Sequence, residues 1–209
     1  MLSNIRTQAK QAALWRRLAD AALDGTTSFT QQALAEELGL SKSLVHHATL
    51  PLRASGAIEV VGKRLIVRDV RKILLHWATL RRLDRDQILR LHSDVPPLET
   101  VALSPPRLAF TSFAGFVRRY GEQPAPFTLV RAYADPTDDA TLAELTRRFA
   151  TPTAGRPANL IIHAADALLA TDGLQHTAPP SQLYVDLWNE SDFFAVDYLR
   201  DLERRLALA

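Results

Sequence analysis

The chain of 209 residues contains no cysteine. Disulfides and thiolate zinc sites are therefore excluded. No apolar run approaches the roughly 18 residues that a membrane-spanning helix needs. Met1 to Lys10 lacks the apolar core behind a basic start that marks a secretory leader. These absences make a cytoplasmic protein with no membrane partner the expectation. Motifs of catalysis are missing too: there is no HExxH, no P-loop, no GxGxxG and no GxSxG. His76, His92, His163 and His176 are scattered without ligand spacing. Asp135, Asp166 and Asp186 fall near the ends of expected strands, yet no two of them form a D-x-D pair for Mg²⁺. The expectation is a non-enzyme with no catalytic residue, no metal and no cofactor.

What is present is an ordinary globular balance, 47% hydrophobic and 23% charged. The net charge of +2 conceals an asymmetry. Residues 1–92 hold 15 Lys+Arg against 8 Asp+Glu, whereas residues 93–209 hold 10 against 15. A basic first part suits a polyanion partner.

The order of elements sharpens that reading. Ala9, Ala13, Leu14, Leu18 and Ala21 form a stripe at helical spacing, ended by Gly25. A second helix over Thr30 to Leu38 is expected to bury Ala33, Leu34 and Leu38. Gly39 takes the tight turn. Ser41 caps a third helix that carries Leu44, Val45, Ala48 and Leu52 inward. Pro51 predicts a kink or an early end. Ala57 to Val61 and Leu65 to Val67 read as two strands joined through Gly62, Lys63 and Arg64. Helix, helix, turn, helix and two-stranded hairpin make a winged helix-turn-helix. The spacing Ala33-x5-Gly39-x-Ser41 followed by Leu44-Val45 is its turn signal, with Ala33 as the small residue between helices.

In that arrangement the third helix enters the major groove of double-stranded DNA. Ser41, Lys42, Ser43, His46 and His47 then face bases and phosphates, and Arg53 lies further down. Lys63 and Arg64 at the hairpin tip suit the backbone or the minor groove. Adjacent helical residues do not share a face, so His46-His47 is poorly built for a metal.

The expected domains are a winged helix-turn-helix over 1–69, a helical linker over 70–94 and a mixed α/β domain over 95–209, an α+β class overall. In the last, Phe127 to Ala134, Asn159 to His163, Leu168-Leu169 and Gln182 to Leu187 read as strands. Glu99 to Leu103 reads as extended. Ser112 to Tyr120, Asp138 to Phe149 and Asp192 to Leu206 read as helices. Tyr184, Trp188, Phe193, Phe194 and Tyr198 belong either to the core or to an exposed partner surface.

The Ala33–Val67 segment, LHWATLRRLDRD at Leu75–Asp86, and QLYVDLWN at Gln182–Asn189 together resemble the AbiEi-like antitoxin group of type IV toxin–antitoxin systems. The resemblance implies a DNA-binding winged helix before an α/β domain, and repression of the protein's own operon. Lys42, Ser43, His46, Lys63 and Arg64 would touch DNA. Some members carry a C-terminal domain similar to a minimal nucleotidyltransferase. Its Gly-Ser and D-x-D signature is expected to be absent here, with only Thr111-Ser112 in a loosely similar place. A sequence-specific DNA-binding repressor is the leading expectation. The alternatives are a nucleotidyltransferase-like enzyme holding a metal with Asp135, Asp166 or Asp186, and an antitoxin module that binds a toxin or another protein. Two-fold DNA sites would call for a homodimer.

Overall fold

A computed structural model describes residues 2–171 and 176–208. It is an α+β structure in two compact units, Met1–Leu80 with Leu206–Ala209, and Arg81–Arg205. No helix among the described residues is long and apolar enough to cross a membrane.

The first unit runs α1 (Leu2–Leu23), β1 (Ser28–Thr30), α2 (Gln31–Glu37), α3 (Lys42–Ala54), β2 (Ile58–Val61), β3 (Arg64–Val67) and α4 (Val70–Leu80). The strands form an antiparallel sheet in the order β1-β3-β2. Side-chain oxygens start both short helices: Thr30 Oγ1 accepts from Ala33 N at 3.1 Å, and Ser41 Oγ accepts from Leu44 N at 3.1 Å. Between them Gly39 adopts φ 60°. This lets Leu40 N reach back to Ala35 O at 2.8 Å and satisfy an orphan carbonyl at the end of α2.

Leu14, Trp15, Leu18, Leu34, Val45, Leu52, Leu65, Ile73, Leu74 and Trp77 fill the core. Trp15 Nε1 donates to Ala48 O at 3.0 Å, tying α1 to the middle of α3. Its ring meets His76 of α4 edge-on at 5.1 Å. Burial lowers the pKa of that imidazole.

Three expectations for this unit change. Ala33 is exposed, and Ala35 is the small buried residue of α2. With Thr30 as the cap, the helix turns Leu34 and Ala35 inward. Pro51 does not end α3, which continues to Ala54. Residues 70–94 are not one helical linker either. Helix α4 packs on α1 within the first unit, and a strand occupies Gln87–Leu91 in the second.

The second unit runs β4 (Gln87–Leu91), α5 (Pro97–Leu103), β5 (Ala109–Thr111), α6 (Ser112–Tyr120), β6 (Val130–Ala134), α7 (Asp139–Arg148), β7 (Leu160–Ala164), α8 (Ala167–Thr171), α9 (Pro180–Trp188) and α10 (Ala195–Arg205). Its sheet has the order β4-β7-β6-β5. Strands β6 and β7 are parallel and joined through α7, while the outer pairings are antiparallel. The turn from β5 into α6 is tight: a Cβ on Gly115 would lie 2.5 Å from Phe110 O. Phe113, Phe116, Phe127 and Tyr198 make an aromatic core with centroids 4.9 to 6.4 Å apart.

Gln182 to Leu187 is helical, not a strand. Every residue from Ser181 to Leu187 is buried, so the alternation of Leu183, Val185 and Leu187 with polar neighbours marks no exposed face. Residues Glu99–Leu103 and Leu168-Leu169 are helical as well, in α5 and α8. The aromatics of Tyr184 to Tyr198 divide: Tyr184 and Tyr198 are core, whereas Trp188 and Phe193 are exposed.

Candidate nucleic-acid interface

The sequence of α3 dictates which side faces out. Val45, Ala48, Thr49 and Leu52 are buried, and Ser41, Lys42, Ser43, His46, His47, Leu50 and Ala54 are exposed. At about 100° per residue, Ser43, His46, His47 and Leu50 lie within one arc of roughly 100°. No carboxylate occurs anywhere in α3. The His46 and His47 rings are edge-on at 5.4 Å. Lys42 Nζ lies 3.4 Å from Gln32 Oε1 of α2.

Arg53 departs from the rest. It is half-buried, and its Nη2 donates to Thr49 Oγ1 at 2.8 Å, so its guanidinium is turned back along its own helix. The hairpin tip is a two-residue loop, Gly62-Lys63, between the paired Val61 and Arg64. Gly62 has φ 60°, which a loop of this length asks of its first residue. Lys63 and Arg64 are both exposed, and Arg64 Nη1 donates to Ser28 Oγ of β1 at 2.9 Å. The segment 1–80 holds 11 Lys+Arg against 6 Asp+Glu. Leu50 joins the residues expected from the sequence, because its spacing of four from His46 and seven from Ser43 places it on their face.

The second unit buries a polar network. Asp186, fully buried, accepts from Arg81 Nε at 3.1 Å, Thr111 Oγ1 at 2.7 Å, Tyr133 OH at 2.7 Å and Gln182 Nε2 at 3.0 Å. Arg81 Nη1 also meets Asp86 Oδ2 at 2.8 Å, and His163 Nδ1 lies 2.9 Å from Asp86 Oδ1. The other ring nitrogen of His163 faces Arg131 Nη1 at 3.5 Å. Arginine only donates, so this pairing suits the neutral tautomer with its hydrogen on Nδ1. Arg131 forks onto Glu190 at 2.7 and 3.3 Å, and Ser112 Oγ donates to the same carboxylate. Ser112 holds φ 54° at the head of α6 and is fully buried.

The electrostatics follow from burial. Burial drives the Tyr133 phenol well above its ordinary pKa, and the Asp186 carboxylate adds to the rise. Burial opposes charge on Arg81, but the oxygens of Tyr133, Asp186 and Asp86 outweigh it and raise its pKa. Burial alone would raise Asp86, yet the hydrogen bond from His163 and the charge of Arg81 bring it below the usual carboxylate value.

The three aspartates weighed for metal binding are each engaged in local structure. Asp135 Oδ1 accepts from Thr137 N at 2.8 Å, and Asp166 Oδ1 accepts from Leu169 N at 3.0 Å at the head of α8. Asp186 is spent on the network. The expected absence of a D-x-D spacing is corrected by Asp84-Arg85-Asp86, which has that spacing. Both oxygens of Asp86 are held by Arg81 and His163. Among the described residues, no group of three His, Asp or Glu is placed to hold a metal ion. No family model, curated protein or solved structure matches the chain.

The network has stability consequences. Asp186→Asn would turn an amide NH₂ toward donors and is expected to cost about 3–5 kcal/mol, measured by urea unfolding followed at Trp188. Asp86 has a lowered folded-state pKa, so its contribution is present above about pH 4 and is lost as pH falls through the lowered value. Asp86→Asn is expected to reduce stability at neutral pH and to flatten the decline below about pH 4, read from a pH series of unfolding curves.

Proposed function

We propose that the protein is a sequence-specific, double-stranded DNA-binding transcriptional regulator. In this reading the first unit is a winged helix-turn-helix, α3 lies in the major groove, and the β2–β3 hairpin contacts the backbone or minor groove. The carrying observation is the outward face of α3. Ser43, His46, His47 and Leu50 are solvent-exposed there, Lys42 stands at its start, and no acid interrupts it. The exposed pair Lys63-Arg64 supplies cations of the kind that gain from counterion release. The resemblance to AbiEi-like antitoxins supports repression as the direction of control.

The test is retention of genomic duplex fragments in a gel shift at low salt. Lys63→Ala with Arg64→Ala is expected to weaken binding to all sequences alike, and to lower the slope of log K against log salt by about two if both residues meet phosphates. Retention of no fragment at low salt would count against the reading.

A second surface suggests a protein partner. Phe193 is 88% exposed between α9 and α10, and Trp188 and Val196 are about half exposed. Apolar side chains so open to water suit a second copy of the chain or another protein. Phe193→Ser is expected to shift the particle mass measured by light scattering, or to abolish co-purification of a partner from the native host. An unchanged monomer before and after the substitution, with nothing co-purifying, would remove this reading.

A further inference from the structure

Resting on the DNA-binding reading, we infer that α3 recognises the C5 methyl group of a pyrimidine, with Leu50 as the residue that reads it. Leu50 is 42% exposed in a helix whose Leu52 is fully buried and whose Leu44 is half-buried. It lies near the centre of the outward arc, one turn on from His46 and two turns on from Ser43. A leucine there leaves nearly half of its surface open to water in the free protein. The major groove presents a single apolar feature on its base edges, the C5 methyl of thymine, which 5-methylcytosine duplicates.

The hydrogen-bonding groups on the same face point the same way. The side chains that read guanine or adenine with two parallel bonds are arginine, lysine, asparagine and glutamine. None of them lies on the exposed arc. Lys42 is exposed at the start of α3, about 40° outside the arc, with its Nζ 3.4 Å from Gln32 Oε1. The one arginine of α3, Arg53, is half-buried and bonded to Thr49 Oγ1. What remains is one leucine flanked by imidazoles and a serine hydroxyl. Leu50 discriminates by methyl contact, and His46 contributes a single hydrogen bond to the neighbouring base.

The experiment starts with full-length protein and a random duplex library. The duplex enriched by repeated selection is resynthesised with each thymine replaced in turn by uracil, and separately with each cytosine replaced by 5-methylcytosine. Removing a buried methyl is expected to weaken binding about fourfold at one position per half-site. Leu50→Ala is expected to bind the thymine and uracil duplexes equally. Lys63→Ala with Arg64→Ala is expected to bind both more weakly and keep the ratio. A gain at a methylated cytosine with silent uracil substitutions assigns the same contact to 5-methylcytosine. A selected duplex that is indifferent to both replacements, or a ratio unchanged in Leu50→Ala, overturns the inference and leaves the DNA-binding reading standing. Enrichment of no duplex at low salt overturns that reading itself.

Discussion

The bond from Trp15 Nε1 to Ala48 O fixes how α3 is presented. Ala48 lies at the midpoint of the helix, on the side opposite Ser43 and Leu50. The indole therefore pins both the depth and the rotation of α3 against α1. Val45 and Leu52 flank the contact and are fully buried. Rotating α3 by one residue would bring His46 inward and turn Val45 out, at the cost of a buried bond and a hydrophobic stripe. The outward face is thus a consequence of core packing. Pro51 is tolerated in the same helix because the tertiary contacts, rather than an unbroken ladder, hold it in place.

A different economy governs the second unit. Asp186 collects four donors from β5, β6, α9 and the segment before β4, so one carboxylate joins sequence-distant elements. Thr111 spends its hydroxyl on that carboxylate, and α6 starts without a side-chain cap from it. Ser112 takes a left-handed backbone at that point and donates to Glu190, which Arg131 also holds. A strained serine between a strand and a helix is a geometry also used by nucleophiles. Here the hydroxyl is buried and bonded to a paired carboxylate, which fits a structural joint. Networks of this type gain little over apolar packing, but they penalise every misregistered alternative, because a single lost partner strands a buried charge.

The first unit was the more legible of the two. The cap at Ser41, the turn glycine at Gly39 and the hairpin about Gly62 are local chemistry, and each is written in one or two residues. What escaped was non-local. Strand β1 has one buried apolar residue, Phe29, and exists because β3 pairs with it. Strand β4 lies within a basic stretch where Ile88 and Arg90 face out, so its period of two is blurred by one exposed isoleucine. Helix α9 is buried on every side from Ser181 to Leu187 and shows no amphipathic stripe there. The candidate site divides along the same line. The exposure of Lys42, Ser43, His46 and His47 follows from helical periodicity. The turning-back of Arg53 depends on Thr49, and the role open to Leu50 depends on which leucines the core takes.

Under the proposed reading, the exposed face of α3 sets a limit on specificity. One helix inspects about four base pairs. A sequence that short recurs within a few hundred base pairs, and a genome offers roughly 10⁶ or more competing sites. The cations of the first unit add affinity without adding sequence information. A single copy would therefore be held mostly in the wrong places. Selectivity must come from a second reading head at a fixed spacing, which a symmetric pair of chains supplies. Phe193, Trp188 and Val196 are the apolar groups of the second unit that remain uncovered near its last two helices. Covering them on association would supply hydrophobic free energy for such a pair. The exposed aromatics and the short reading helix then become two sides of one requirement: a chain that reads few bases needs a partner to read the rest.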